Sequence, residues 1–425
     1  MGTCRVKFYQ NVIIIFCFFV YLFPFKAYGF DPRFLVFLIY FVLLLKNGFI
    51  VGFNKIKLKY LKVIKYPLLM MFFTLFTFIF NNEPEITFLI FPFQLVYLLL
   101  LSFCIYYILK QWCNIIDFYI LTKYFVISLI IQSVIAILMF VNTPICLFLF
   151  ELQGIDLASS VLERYYGMRL IGLGCFYFGA GAIYGLGLIT LIPLMLKVKN
   201  KNQLIKLLLL YVYIFVVGLF FARTSMIGCA LSIMYLCACI LIPKVGQKAF
   251  AIFRKFIAYI TILGIGLFTI YNSSPKLQDE YGDIVKFGFE AFINLAESGE
   301  LSTRSSDGLK EYHLNVWPKD SKTYYIGDTR WTQGDGYYGD SDVGYIRLLY
   351  YFGIPGIVLF LYYQYSVAKT MRFIYKEKIL SLFFIIVFLY AVILLVKGYI
   401  DIAAIIFIYL HCNTFNSKYE NRILC

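Results

Sequence analysis

Residues 118–141 read FYILTKYFVISLIIQSVIAILMFV, a run with one charged side chain, Lys123, and neither glycine nor proline to interrupt it. A helix needs about 20 mostly apolar residues to cross a hydrocarbon core of roughly 30 Å, and this run satisfies both conditions. Comparable runs lie on either side of it, at 9–25, 34–53, 66–81 and 86–109 before, and at 169–196, 206–222, 224–242, 256–271, 344–366, 379–396 and 400–412 after. Backbone polar groups cannot go unsatisfied in lipid, so each run is expected to be a helix. A transmembrane barrel would show short alternating segments instead. The expected fold class is therefore an all-α polytopic membrane protein with about 12 transmembrane helices.

Composition leads to the same place. The chain is 62% hydrophobic and 14% charged, against roughly half and a quarter in soluble domains, and an excess spread over the whole chain has no soluble core to enter. Net charge is +15, yet its distribution matters more than its sum. With a cytoplasmic N-terminus, basic residues gather in alternate loops, at Lys55 to Lys65, Lys197 to Lys206, Lys244 to Lys255 and Lys369 to Lys378. That is the positive-inside bias, and it sets both termini in the cytoplasm. The basic balance thus reports topology and anionic lipid rather than nucleic acid. The first apolar run has the basic start of a signal peptide but no small-residue cleavage site, so it is expected to stay as the first helix. The 11 cysteines lie in or beside the runs with no Cys-x-x-Cys pair, and neither a disulfide framework nor a metal site is expected.

One stretch breaks the pattern. Residues 1–271 hold the first nine spans, 272–343 form a large hydrophilic loop placed outside, and 344–425 hold the last three spans and a cytoplasmic tail. The loop carries acidic residues in excess over basic ones, while the rest of the chain is strongly basic. Ile284, Phe287, Gly288, Ala291, Phe292 and Leu295 recur at helical spacing, which predicts a partly helical loop and a helix able to lie on the membrane surface. Ser305, Ser306 and Asp307 offer cap chemistry for a second helix, with Leu309, Tyr312, His313 and Val316 on one stripe, ending before Pro318. A shorter outside loop spans about 142–168.

Arg169 opens one span, Arg223 lies at a tight outer turn, Arg347 opens another span, and Arg304 and Arg330 are in the large loop. Guanidinium stays charged and grips phosphate bidentately, so several converging on one outer cavity would form a pyrophosphate site; singly, each can instead snorkel to lipid headgroups. Asp328, Asp335, Asp340 and Asp342 cluster late in the loop, where a carboxylate could act as general base toward a sugar hydroxyl or simply shape turns; Asp342 is nearest the membrane edge. His313 is a second candidate base, or a packed residue on an apolar stripe. Tyr324, Tyr325, Trp331, Tyr337 and Tyr338 can stack on sugar rings or belong to the interfacial aromatic belt. Glycines crowd residues 172–187, and Gly181 and Gly185 fit small-xxx-small helix packing.

The stretch Gly327-Asp328-Thr329-Arg330 through Tyr337-Tyr338 to Asp342-Val343-Gly344-Tyr345-Ile346-Arg347, then Tyr351-Phe352-Gly353-Ile354-Pro355-Gly356, resembles the Wzy-type O-antigen and capsule repeat-unit polymerases. Thr303 to Leu309 and Arg169 to Gly172 resemble them too, as does the arrangement of many spans with a late outer loop. The resemblance implies a glycosyltransferase of the bacterial inner membrane. Its donor would be a glycan on undecaprenyl pyrophosphate and its acceptor a second lipid-linked repeat unit. A chain-length regulator and a flippase are implied partners; no metal or cofactor is implied. It points to Arg169, Arg223, Arg304, Arg330 and Arg347 as binding residues. The residues themselves add Asp328, Tyr338 and Tyr345 as glycan-binding candidates and Asp342 and His313 as catalytic candidates, and leave open which carboxylate, if any, is the base.

Two other readings compete. An O-antigen ligase shares the architecture and the donor, but ligases resemble one another in a His-Asn pair, whereas Leu314 follows His313 here. A repeat-unit flippase would need charged residues lining many helices and would not need the large outer loop.

Overall fold

The computed structural model describes residues 7–47, 62–81, 84–113, 116–155, 168–243, 245–300, 302–313, 315–334 and 336–412. The apolar runs become helices: α1 (Phe8–Leu22), α2 (Arg33–Asn47), α3 (Lys65–Thr77), α4 (Phe91–Trp112) and α5 (Phe118–Val141). After the short α6 (Thr143–Gln153) come α7 (Tyr177–Lys197), α8 (Lys201–Phe221), α9 (Ser225–Ile240) and α10 (Gly246–Ser273). The loop contributes α11 (Pro275–Ser298), α12 (Arg304–Gly308), α13 (Ser321–Ile326) and a two-stranded hairpin, β1 (Thr332–Gln333) with β2 (Gly336–Tyr337). The chain closes with α14 (Gly344–Ile374), α15 (Lys378–Leu394) and α16 (Ile402–Ile405). Among the described residues, α4, α5, α7, α8 and α14 are long and apolar enough to cross a membrane.

Helix α7 is the centre of the bundle, buried from Ala180 to Leu196 between α8 and α9. Its glycines explain how. A Cβ on Gly228 of α9 would lie 2.3 Å from the Cα of Gly185, and one on Gly181 would lie 2.7 Å from the Cβ of Ala222. Without side chains at these points the backbones close up, the contact that drives helix association where lipid supplies no hydrophobic contrast. Tyr390 of α15 fills the adjoining space and donates to the carbonyl of Ala182 at 2.8 Å.

The structure departs from the sequence reading in places with identifiable causes. The span expected at 169–196 starts as a helix only at Tyr177, because Gly174 takes a left-handed φ of 72° and Tyr177 one of 45°. Residues 168–176 are held instead by side chains: Gln132 Nε2 donates to Leu173 O at 3.0 Å, and Gln153 Oε1 accepts from Gly174 N at 2.9 Å. The last span, 400–412, is the four-residue α16 followed by a 3₁₀ segment, Ile406–His411. The second loop helix is capped by Thr303, not by Ser305 to Asp307: Ser306 N donates to Thr303 Oγ1 at 3.1 Å and Thr303 N to Ser306 Oγ at 2.8 Å. That helix passes into a π-helical turn, Leu309–His313.

The most informative break is in α14, where Gly353 at φ 66°, ψ −170° divides the helix. Pro355 has no N–H, so the carbonyl of Tyr351 has no helical donor. The loop supplies one: Thr329 N donates to Tyr351 O at 3.1 Å and Asp328 N to Tyr350 O at 2.6 Å. The segment after α3 secures the same loop. Asn81 Nδ2 donates to Gly327 O at 3.1 Å and to Thr329 Oγ1 at 2.6 Å. Glu85 Oε1 accepts from Trp331 N at 3.1 Å and Thr332 N at 2.9 Å. The two stretches that carry the family resemblance are thus laced together.

Candidate functional site

At the end of the bundle bearing the large loop, four chain segments meet: residues 168–176, the turn between α8 and α9, the start of α14, and the turn after α15. Arg169 is brought beside α8 by a bond from Leu170 N to Phe220 O at 3.0 Å. Arg223 sits in the three-residue turn between Phe221 and Ser225. Both guanidiniums lie over the ring of Phe287, at 4.2 Å for Arg169 and 4.7 Å for Arg223, and Arg169 also faces Tyr177 at 5.5 Å.

Phe287 comes from α11, which rests on α8 rather than extending into solvent. A Cβ on Gly288 would reach 2.8 Å from the Phe220 ring, so glycine is what allows the seat. One turn further along α11, on the same face, Glu290 pairs with Arg223. Its other carboxylate oxygen accepts from the Arg304 backbone N at 2.8 Å. Burial, with Arg169 and Arg304 beside it, pushes the Arg223 guanidinium down to about 10, which leaves it charged at neutral pH.

Arg347 lies in the first turn of α14, buried, with its guanidinium between two rings, 3.8 Å from Trp331 and 3.7 Å from Tyr337. Contacts of this kind contribute about 0.5–2 kcal/mol each, more where water is excluded. The hairpin pairing of Thr332 with Tyr337 delivers the second ring. Arg347 Nε is buried and has no hydrogen-bond partner among the described residues. Asp342, two residues before α14, faces both Arg347 and Lys397.

Lys397 joins the two halves. Its turn is pinned to α14 by Tyr345 N donating to Leu395 O at 3.1 Å and by Tyr345 Oη donating to Val392 O at 3.0 Å. Burial lowers the Lys397 ammonium from its ordinary value; Asp342 opposes this, and Arg223 and Arg169 reinforce it.

The expected site residues therefore divide. Arg169 and Arg223 come together over Phe287, Asp342 lies within electrostatic reach of Arg347, and Arg304 joins Arg223 through the Glu290 carboxylate. Asp328, Arg330 and Tyr338 form a separate group: Arg330 lies 5.7 Å over the Tyr338 ring, and Asp328 Oδ1 accepts from Thr323 Oγ1 at 2.8 Å. Burial and the Asp328 carboxylate raise the Tyr338 phenol. Tyr345 commits its hydroxyl to the main chain of α15. His313 falls in the π-helical turn, but its side chain lies outside the described residues, as does Asp335.

Sequence reasoning missed Lys397, Glu290, Phe287 and Tyr177 as members of the site. For Lys397 there was a signal, a lone lysine at the end of a span facing away from the basic loops. Glu290 and Phe287 had only the spacing of an amphipathic helix, which does not say what that helix packs against. Comparison of the chain with protein-family models, with curated proteins and with solved structures gives no match, so the site is read from its own geometry.

Proposed function

We propose that this chain is a Wzy-type polymerase of lipid-linked oligosaccharide repeat units, working at the outer face of a bacterial inner membrane, with about twelve spans and both termini in the cytoplasm. The observation that carries the proposal is the pair Arg169 and Arg223 over one ring, Phe287, at the end of an apolar bundle that bears the large loop. Guanidiniums side by side grip phosphate oxygens bidentately. A pyrophosphate on a polyprenyl chain suits such a pair, with the lipid tail lying against the bundle.

In the proposed reaction an acceptor sugar hydroxyl attacks the anomeric carbon of the donor. The new glycosidic C–O bond forms as the bond from that carbon to the pyrophosphate oxygen breaks, and the bond's electron pair leaves with the lipid pyrophosphate. Arg169 and Arg223 stabilise the charge that develops there, fixed in place before the reaction begins. Asp342, within electrostatic reach of Arg347, receives the hydroxyl proton. The aromatic rings around Arg347 suit the faces of sugar rings at the approach.

The test is deletion of the gene in the source bacterium, followed by a gel of its surface glycolipids. Collapse of a ladder to one repeat unit, restored by the gene in trans, supports polymerase. Polymer that accumulates on undecaprenyl pyrophosphate without reaching its final acceptor would overturn it in favour of ligase.

A further inference from the structure

We propose that Arg347, Trp331 and Tyr337 form a slot for a carboxylate-bearing sugar, of the uronic-acid type, in the glycan that the chain handles; that this glycan is a lipid-linked repeat unit rests on the polymerase reading. The slot is built from one hairpin and one helix. Trp331 stands just before β1 and Tyr337 lies in β2, and Tyr338 N donates to Trp331 O at 3.2 Å, which holds the two stretches together. Their rings straddle the Arg347 guanidinium at 3.8 Å and 3.7 Å. The two walls differ. Trp331 is fixed, edge-on to Phe88 and to Tyr399 with ring centroids 5.2 Å away in each case, and its N donates to Glu85 Oε1 at 3.1 Å. Tyr337 is 43% exposed, so its side of the slot faces solvent.

Arg347 is only 8% exposed, and its Nε is buried with no hydrogen-bond partner among the described residues. Asp342 lies within electrostatic reach, yet Nε–H stays unbonded. A buried donor on a charged group is costly to leave unpaired, so the position calls for an anion. The rings decide which one. With both faces covered at contact distance, the guanidinium is met only along its edge, within a thin layer between the rings. A carboxylate is flat and joins such an edge through two parallel N–H···O bonds in the guanidinium plane. A phosphate is tetrahedral, and in the same position it would push oxygens toward the negative faces of both rings. A uronic acid carries its carboxylate on a sugar ring, whose C–H face suits the exposed ring of Tyr337.

The experiment uses the full chain in lipid nanodiscs and follows binding of methyl glucuronoside, with methyl glucoside as the neutral probe, by saturation-transfer NMR. Wild type is expected to prefer the glucuronoside about tenfold, the scale of one charge-assisted contact. Arg347→Gln and Tyr337→Ala are expected to lose that preference and Tyr337→Phe to keep it, with thermal melts to check that each is folded. Equal binding of the two probes by wild type, or a preference that survives in folded Arg347→Gln, overturns the proposal. So does displacement of the glucuronoside by inorganic phosphate at equal concentration, because the slot would then not select a flat anion. If Arg347→Gln does not fold, Tyr337→Ala decides: a preference lost without that ring supports the slot, and one that is kept overturns it. Binding of undecaprenyl pyrophosphate, measured separately by native mass spectrometry, reads the polymerase proposal. A wild type that binds this lipid without preferring the glucuronoside keeps the polymerase reading and drops the slot. One that prefers the glucuronoside through Arg347 without binding the lipid keeps the slot and drops that reading.

Discussion

Gly327 and Gly353 interlock: a Cβ on Gly327 would lie 2.3 Å from the carbonyl oxygen of Tyr351, and one on Gly353 would lie 2.7 Å from the carbonyl oxygen of Tyr324. Both take left-handed φ values, 71° and 66°. The loop main chain thereby reaches the carbonyls exposed by the break in α14. Alanine at either position meets backbone that cannot move aside, and meets the conformational penalty as well. Gly353→Ala or Gly327→Ala is expected to lower stability by about 2–4 kcal/mol, measured as a fall in Tm of the purified protein. An unchanged Tm would show that the loop is not seated on α14.

Arg223 and Arg330 belong to different groups, so their conservative variants should separate. Arg223→Lys loses the planar fork, and its polymer yield is expected to fall at least about tenfold. Arg330→Lys, at a guanidinium that lies over Tyr338, is expected to keep most activity. In vivo ladder length and density on a gel read both; equal loss in the two variants would argue against a separate site.

Glu290 occupies Arg223 with a carboxylate that an anionic ligand must displace. Glu290→Gln removes the competing charge while keeping the shape. Binding of undecaprenyl pyrophosphate is expected to tighten about threefold or more, given the modest worth of a partly exposed ion pair. Weaker binding would instead identify Glu290 as the group that orients Arg223.

Asp342→Asn tests the proton acceptor. With the fold and cations intact, turnover should fall about 10²–10⁴-fold, while affinity for the pyrophosphate lipid is kept or improved. Turnover within a few-fold of wild type would remove Asp342 from the mechanism.

The ammonium of Lys397 also gives a pH signature. Asp342 faces it from before α14, Arg223 from the turn between α8 and α9, and Arg169 from before α7, and its folded-state pKa lies below the ordinary value. Below that folded pKa, the buried charge makes folding less favourable. As pH rises toward the unfolded value the folded chain has already released the proton, so this contribution to stability increases with pH. Lys397→Met lacks the titrating group, so its Tm is expected to gain less than that of wild type as pH rises; identical profiles of Tm against pH for the two proteins would show that Lys397 does not titrate below its ordinary value in the folded chain.

Much of the architecture was legible because helix formation in lipid depends on local composition. A run such as 118–141 forms a helix whatever its neighbours do, since its backbone groups have no other partner in hydrocarbon. The small-residue contact between Gly185 and Gly228 was half visible, through Gly181 and Gly185, although the partner helix was not. The start of the 169–196 span was misplaced because Gly172 and Gly174 look like packing glycines in sequence. In the structure, the left-handed φ at Gly174 ends the helical path.

By itself, the sequence determined the apolar runs that become most of the helices, the hydrophilic loop and the arginines that merit attention. Each of these follows from the chemistry of short contiguous stretches. Only the tertiary structure decided which charges share a site. Arg169, Arg223, the Asp342–Arg347 stretch and Lys397 lie far apart along the chain, and their placement at one end of the bundle depends on glycine contacts that set how closely α7, α9, α14 and α15 approach. Packing likewise set Glu290 on Arg223 and gave Asp328 to Thr323, because side-chain pairing across helices has no periodicity that a single chain reveals.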